Sequence, residues 1–267
     1  MRRIPGTVLV LALAFFCLGP ILWVVWASLR PEQDILRLPG RLWAGPFIAD
    51  HYRSVLSDPR VHRYLGNSVL VAVGSSLLAT LLGAMAAFGI GRYRFRGRSF
   101  LLGLVLTIHL LPSLVSMGAL YRLVSSLDLL NSLAGLVLVK GAGLSLAVWL
   151  LKGYFESLPR EYEEMARVEG AGSLRIFFGI VLPLRIKGVL VAWLFLFAQS
   201  WKSFFLPLLL ITDVRKMPLP LGLFQYAGEH GFEVGRICAL SVVSLLPILL
   251  LLGALNRMGW QSLRPSG

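Results

Sequence analysis

Long apolar stretches alternate with shorter polar ones along this chain. Six apolar segments stand out, at roughly 4–29, 65–91, 100–122, 133–151, 189–211 and 237–256. A hydrocarbon core takes about 20 apolar residues per helical crossing, so each segment is read as one spanning helix. The runs are continuous rather than alternating, which excludes a β-barrel. In the second run, Ser75, Ala79, Gly83, Ala87 and Gly91 recur at every fourth position. This predicts a face of small residues on which a neighbouring helix approaches closely.

The polar pieces differ in character. Residues 30–64 carry Pro31, Pro39, Pro46 and Pro59 with mixed charge and read as an irregular segment at the membrane surface. Residues 92–98 hold four arginines, and residues 123–132 hold Asp128 and no basic residue. That contrast between short loops places 92–98 in the cytoplasm. Six spans then put both termini and the loop 152–188 on the same side, and Arg2, Arg3, Arg257 and Arg264 agree. The six arginines of 30–64 point the other way, but long loops weigh little in this rule. The chain divides into 1–64, a first span with its extracytoplasmic segment, and 65–267, a core of five spans. The loop 212–236, rich in glycine and proline, falls outside, where it contacts a partner, caps a pathway or simply connects.

Composition agrees with membrane residence. Of 267 residues, 57% are hydrophobic and the mean hydropathy is +0.76, well above an ordinary soluble domain. The net charge of +13 is read as basic loops facing anionic headgroups, not as a nucleic-acid surface. Two cysteines, Cys17 and Cys238, set up neither a disulfide framework nor a metal spacing. The first apolar run is long for a signal peptide, and Ala27-Ser28-Leu29 is a poor cleavage site, so the run is read as a retained span.

One stretch is unlike the rest. Glu161–Pro183 reads EYEEMARVEGAGSLRIFFGIVLP and lies between two apolar runs. Glu161, Glu163 and Glu164 suit the positive end of a helix dipole, and Pro159 can start that helix. Tyr162, Met165, Ala166 and Val168 interleave with the charges and have no obvious core of their own. Gly170 and Gly172 supply a stop, Ser173 an N-cap for a second helix over Leu174–Val181, and Pro183 its end.

Signatures of enzyme chemistry are missing from the sequence: no phosphate loop, no HExxH, no GxSxG and no CxxC. The four histidines, His51, His62, His109 and His230, show no metal spacing. Polar residues inside apolar runs therefore draw the eye, because ionisable groups there are costly. Gln199, Ser200, Trp201, Lys202 and Ser203 form a polar cluster in the fifth run and read as a water-filled, substrate-contacting path. Trp201 and Trp193 are candidates to stack on a ligand ring. His109, ahead of Pro112, and Lys140 read singly as satisfied groups, His109 on a carbonyl and Lys140 snorkelling outward. His109 stays a candidate for the path.

The unusual stretch resembles the EAA loop of permease subunits in binding-protein-dependent ABC importers. That signature is Glu-Ala-Ala, three residues, Gly, nine residues, Ile, one residue, Leu-Pro. Here it runs Glu164-Met165-Ala166, Gly170, Ile180, Leu182-Pro183, with Met165 in place of the first alanine. Asn67-Ser68, Ala86-Ala87-Phe88 with Arg92-Tyr93-Arg94-Phe95-Arg96-Gly97, and Leu127-Asp128-Leu129-Leu130-Asn131 are similar to other stretches of the family. Ser200-Trp201-Lys202-Ser203-Phe204-Phe205-Leu206-Pro207 resembles the W-N-x-F-x-x-P pattern of the carbohydrate-uptake group, with Lys202 replacing asparagine. The nearest subgroup is the second, six-span permease subunit of maltose-type transporters.

The resemblance implies an all-α integral membrane protein: six transmembrane helices with a cytoplasmic coupling-helix loop, the type I permease fold of ABC importers. It implies a subunit without catalytic residues, metal or cofactor of its own, ATP and Mg²⁺ being bound by partner ATPase subunits. Its partners would be a second permease subunit, two ATPase subunits, an extracytoplasmic sugar-binding protein and the lipid bilayer, with no nucleic acid. Glu164 would offer charge to the ATPase rim, Ala166 would allow close approach, and Gly170 would make the turn. The substrate implied is a disaccharide or oligosaccharide. Lys140, Lys202 and His109 keep open a phosphorylated or anionic solute such as glycerol phosphate. An ion-coupled secondary transporter is the reading from another class, and spans without Asp or Glu count against it.

Overall fold

The computed structural model describes residues 4–36, 46–110, 113–229 and 233–257. Arg2, Arg3, Pro39, Pro112, His230, Gly231, Arg264 and the side chain of His109 lie outside what is described. Among the described residues every regular element is helical. The chain forms two compact units, one of 1–65 with 221–267, the other of 66–220. The last apolar helix thus groups with the first, whereas the sequence pattern had placed it with the core.

In the first unit, α1 (Ile4–Ala27) packs on α15 (Val234–Arg257), and α15 also packs on the short helices α2 (Glu32–Leu36) and α3 (Asp50–Ser57). Glu32 fixes the start of α15, its carboxylate accepting from the Val234 and Gly235 amides at 2.7 and 3.0 Å. A carboxylate there satisfies orphan amides and meets the positive end of the helix. Most of α1 is exposed along its length and apolar, as a helix facing lipid must be.

The second unit is built along α4 (Pro59–Arg92) from Gly66 onward, a helix which at about 1.5 Å per residue is longer than a bilayer core is thick. It begins six residues before the expected run. Its small-residue row is buried along its whole length. Gly83 lies against Ala147 and Gly91 against Glu156, both on α8 (Ser145–Glu156). The predicted close approach is therefore made. Helix α5 (Arg98–Leu110) also packs on α8, and α6 (Ser113–Ser126) follows it. The expected third span falls on α5 and α6.

Two helical paths are bent sharply. Helix α7 (Leu133–Ala142) meets α8 at 45°, the break falling at Gly143 and Leu144. The helical stretch Ser173–Leu184 meets α12 (Ile186–Trp201) at 85°, the turn falling at Arg185. Helix α12 packs on α8 and stops at Trp201, and the chain resumes as α13 (Phe205–Leu210), so the expected fifth span is interrupted at the polar cluster. Among the described residues, three helices are long and apolar enough to cross a membrane, or five with each bent pair taken as one span.

Candidate functional site

The stretch Glu161–Pro183 folds as α9 (Glu161–Val168), a glycine turn, and the helical run from Ser173. Helix α9 starts after Arg160, two residues beyond Pro159, so the proline lies outside the first turn. At its end the Ala171 amide donates to the Ala166 carbonyl (2.9 Å) and the Gly170 amide to the Arg167 carbonyl (3.0 Å). Gly170 has φ +81°. This is a Schellman closure, which needs a left-handed residue at that position.

Ser173 does not cap the following helix. Gly172 is the extended residue before it, and Ser173 Oγ instead accepts from the Tyr93 hydroxyl at 2.7 Å. Residues Phe177–Val181 form a π-helical turn, with the Leu182 amide reaching back to the Phe177 carbonyl. Pro183 lies within Leu182–Leu184, and the helical path ends at Arg185, not at the proline. Pro183 brings no amide to the ladder, and the wider turn ahead of it adapts to that loss.

Helix α9 has two faces. Glu163 and Ala166 point inward, Ala166 joining a buried cluster with Ala84, Phe88, Phe155 and Phe177. Phe177 is the hub of that cluster, its ring centroid 5.3 Å from Phe88 and 6.2 Å from Phe155. Ala166 was expected to admit an outside partner. It lies one helical turn from Glu163 and faces the chain's own core instead. Ile180 and Leu182 also pack against that cluster. The outer face carries Tyr162, Met165 and Val168, exposed by 50%, 68% and 90%, with Glu164 beside them and Leu174 on the next helix.

A clamp at the end of α4 holds this hairpin. Arg92 Nε lies 2.7 Å from Glu163 Oε1, and Arg92 Nη2 donates to the Leu158 carbonyl at 2.7 Å. The Nε contact is close but off the hydrogen-bond axis, so it acts as an ion pair rather than as an aligned hydrogen bond. Arg167 approaches the other Glu163 oxygen at 3.4 Å. Arg98 Nη2 and Lys152 Nζ each donate to a Glu156 oxygen at 2.8 Å. The arginine run, read from sequence as a marker of sidedness, is thus also structural. Loops 92–98 and 152–188 share one end of the unit.

The opposite end is tied by two asparagines. Asn67 Nδ2 donates to the carbonyls of Arg215 and Met217, both at 3.0 Å. Asn131 Oδ1 accepts from the Thr212 and Asp213 amides at 3.2 and 3.0 Å, and the Asn131 amide donates to Leu210 at 2.8 Å. Asp128 and Asn131 take positive φ, 52° and 54°, which shapes the turn between α6 and α7. The Asp213 carboxyl is held below its usual range, first by the Arg215 backbone amide; desolvation opposes this, and the Arg215 charge adds a further, smaller lowering.

Between the two ends lies a cavity of about 430 Å³ lined by Ser75, Ser76, Lys140, Gln199 and Ser200 among others. Lys140 Nζ donates to the Ser200 carbonyl at 2.7 Å, so it reaches inward rather than snorkelling outward. The Ser75 and Ser200 hydroxyls bond each other at 2.7 Å. The remaining residues of the predicted path are dispersed. Trp201 is 4% exposed and stacks on Phe197, centroids 5.7 Å apart and planes 22° apart. Trp193 lines a separate apolar groove of about 310 Å³ with Thr80 and Leu190. Lys202 is exposed beyond the end of α12, and Ser203 is half-buried in the break.

Residues 79–258 match the family described as the binding-protein-dependent transport system inner membrane component. The chain belongs to that family. It is a membrane-embedded permease subunit of the ABC importer type. The permease is 29% identical over 255 residues to the trehalose/maltose transport system permease protein MalG of Thermococcus litoralis, covering 94% of this chain and 91% of that one. It is 32% identical over 234 residues to the diacetylchitobiose uptake system permease protein NgcG of Streptomyces coelicolor, covering 86% and 77%. Its fold is similar to a chain of a bacterial ABC transporter that imports the acidic polysaccharide alginate, with TM-score 0.83, 19% identity, and 96% and 98% of the two chains covered.

Sequence reasoning missed Arg92, Glu163, Tyr93, Arg98, Glu156 and Asn131 as working residues. A signal was available for the four charged ones, Arg92, Glu163, Arg98 and Glu156: arginines at 92–98 matched to glutamates of the polar stretch 152–188.

Proposed function

We propose that this permease forms half of a translocation pathway for a disaccharide or oligosaccharide and couples it to a separate ATPase through α9. The saccharide substrate is supported by the names of the relatives, trehalose/maltose and diacetylchitobiose. The hydroxyl- and amide-bearing cavity beside Ser200 and Gln199 suits hydrogen bonding to sugar hydroxyls. Six spans are supported by the six apolar segments, and a cytoplasmic side for both termini and α9 by the arginine asymmetry of the short loops. A second permease completes the pathway, two ATPase subunits grip the two permeases, and an extracytoplasmic binding protein delivers the sugar.

The observation that carries this reading is the outer face of α9. A short helix that exposes Tyr162, Met165 and Val168 while its other face is anchored by Glu163 and Ala166 is a handle for another protein. Because the inner face is packed into the helices of the second unit, force applied to the handle reaches α4 and α8. The test is site-directed cross-linking in the assembled transporter, with Cys17 and Cys238 replaced by serine and one cysteine at Val168. Cross-linking to the ATPase is the expected result. A product with lipid or solvent probes only would remove the coupling role.

A further inference from the structure

Lys140 stands alone in its surroundings. Among the described residues no Asp or Glu lines its cavity and none forms an ion pair with it. Its ammonium carries three donors, and the Ser200 carbonyl takes one. A cation taken out of water without a counter-charge is costly, and an apolar run is an expensive place to keep one. The same cavity offers the hydroxyls of Ser75, Ser76 and Ser200 and the amide of Gln199, which is exposed. Neutral hydrogen-bonding groups suit the hydroxyls of a sugar. The ammonium can donate to a neutral sugar hydroxyl as well, but only an acidic substituent supplies the counter-charge that the cavity lacks.

We propose that the cavity around Lys140 selects saccharides bearing an anionic group, a carboxylate or a phosphate, with Lys140 as its counter-charge. This rests on the carbohydrate-permease reading above and narrows it. The competing role is purely structural. Ser200 lies in the last turn of α12, where carbonyls lack helical partners, and a cation there also satisfies the helix end.

The experiment uses the complete transporter in proteoliposomes with its own binding protein and three probes of one scaffold: trehalose, trehalose 6-phosphate, and trehalose oxidised to a uronate at one primary hydroxyl. Affinity of each probe for the binding protein is measured in parallel, so that delivery is divided out. The wild type is expected to carry at least one acidic probe in preference to trehalose, and the better of the two identifies the anionic group. Lys140→Met is expected to lower the acidic-to-neutral uptake ratio about tenfold or more, the scale of one charge-assisted hydrogen bond, and Lys140→Arg to keep it. Gln199→Glu leaves the bond from Lys140 to Ser200 in place while adding a negative charge to the cavity, and is expected to lower the ratio similarly. Lys140→Met reducing all probes equally, together with an unchanged ratio in Gln199→Glu, would assign Lys140 to holding α12 and overturn the proposal. Uptake of trehalose alone by the wild type overturns only this inference. Maltose, diacetylchitobiose and a uronate oligosaccharide are assayed beside them, and uptake of no saccharide in the set overturns the carbohydrate reading, and this one with it.

Discussion

Arg92 and Glu163 meet at 2.7 Å with their side chains only 3% and 2% exposed, joining the end of α4 to the inner face of α9. Removing one member of a buried ion pair strands the other, at a cost of about 3–5 kcal/mol, whereas replacing both with apolar groups is often close to neutral. Glu163→Ala is therefore expected to destabilise the purified permease by that amount, and Arg92→Met with Glu163→Leu to recover most of the loss. Denaturant titration in detergent measures both. A double variant that loses the sum of the two single effects would show that the pair does not act as a unit. Loosening this contact is also expected to lower the sugar transported per ATP hydrolysed, because the handle then moves without its lever.

Gly170 has open space around it, so its identity is fixed by backbone conformation and not by crowding. At φ +81° a β-carbon costs about 1–2 kcal/mol. Gly170→Ala is expected to weaken coupling, and Gly170→Asn to weaken it less, because asparagine tolerates this region better. Coupled uptake in proteoliposomes separates the two. Equal effects would point to side-chain bulk at the docking face instead.

Gly83 presents the opposite case. A β-carbon there would collide with the Ala147 side chain and approach its backbone at 3.4 Å. Gly83→Val is expected to force α4 from α8 and cost about 1–3 kcal/mol, as overpacked interfaces do. Thermal unfolding in detergent tests this. Gly103, which has nothing within 4 Å, is the control, and Gly103→Ala is expected to be tolerated.

Asn131 holds the segment 212–213 with one carboxamide oxygen. Asn131→Gly keeps the backbone freedom but leaves two amides without their acceptor, at about 0.5–1.5 kcal/mol each. Faster amide exchange at Thr212 and Asp213 is the expected readout. The Asp213 carboxyl in the same loop has a lowered pKa, so its contribution is complete above the ordinary value of 3.8 and is lost as pH falls through the lower folded value. Exchange in this loop, corrected for intrinsic rates, is expected to stay flat between about pH 5 and 8. A transition within that window would mean that Asp213 is not the group holding the turn.

The helical nature of the chain, the small-residue row on α4 and the glycine closure at Gly170 were legible in the sequence, because each depends on local composition or on a single backbone angle. The site was legible only in part. Glu164, Met165 and Gly170 are exposed whereas Ala166, Ile180 and Leu182 face inward, and periodicity alone does not say which face of an eight-residue helix finds a core. The polar cluster 199–203 divides for a similar reason. The helix ends within it, so Gln199 and Ser200 turn to the cavity while Trp201 stacks on Phe197.

By itself the amino-acid order determined that this chain lives in a membrane, folds as helices and carries a polar handle between two apolar runs, since burial of apolar length and local turn chemistry act over short distances. Tertiary structure alone decided that Arg92 grips Glu163, that Asn131 holds the loop beyond α13, and that Lys140 shares a cavity with Ser200. These contacts join residues 60 to 82 positions apart. Their geometry follows from how long helices pack side by side, which no local pattern encodes.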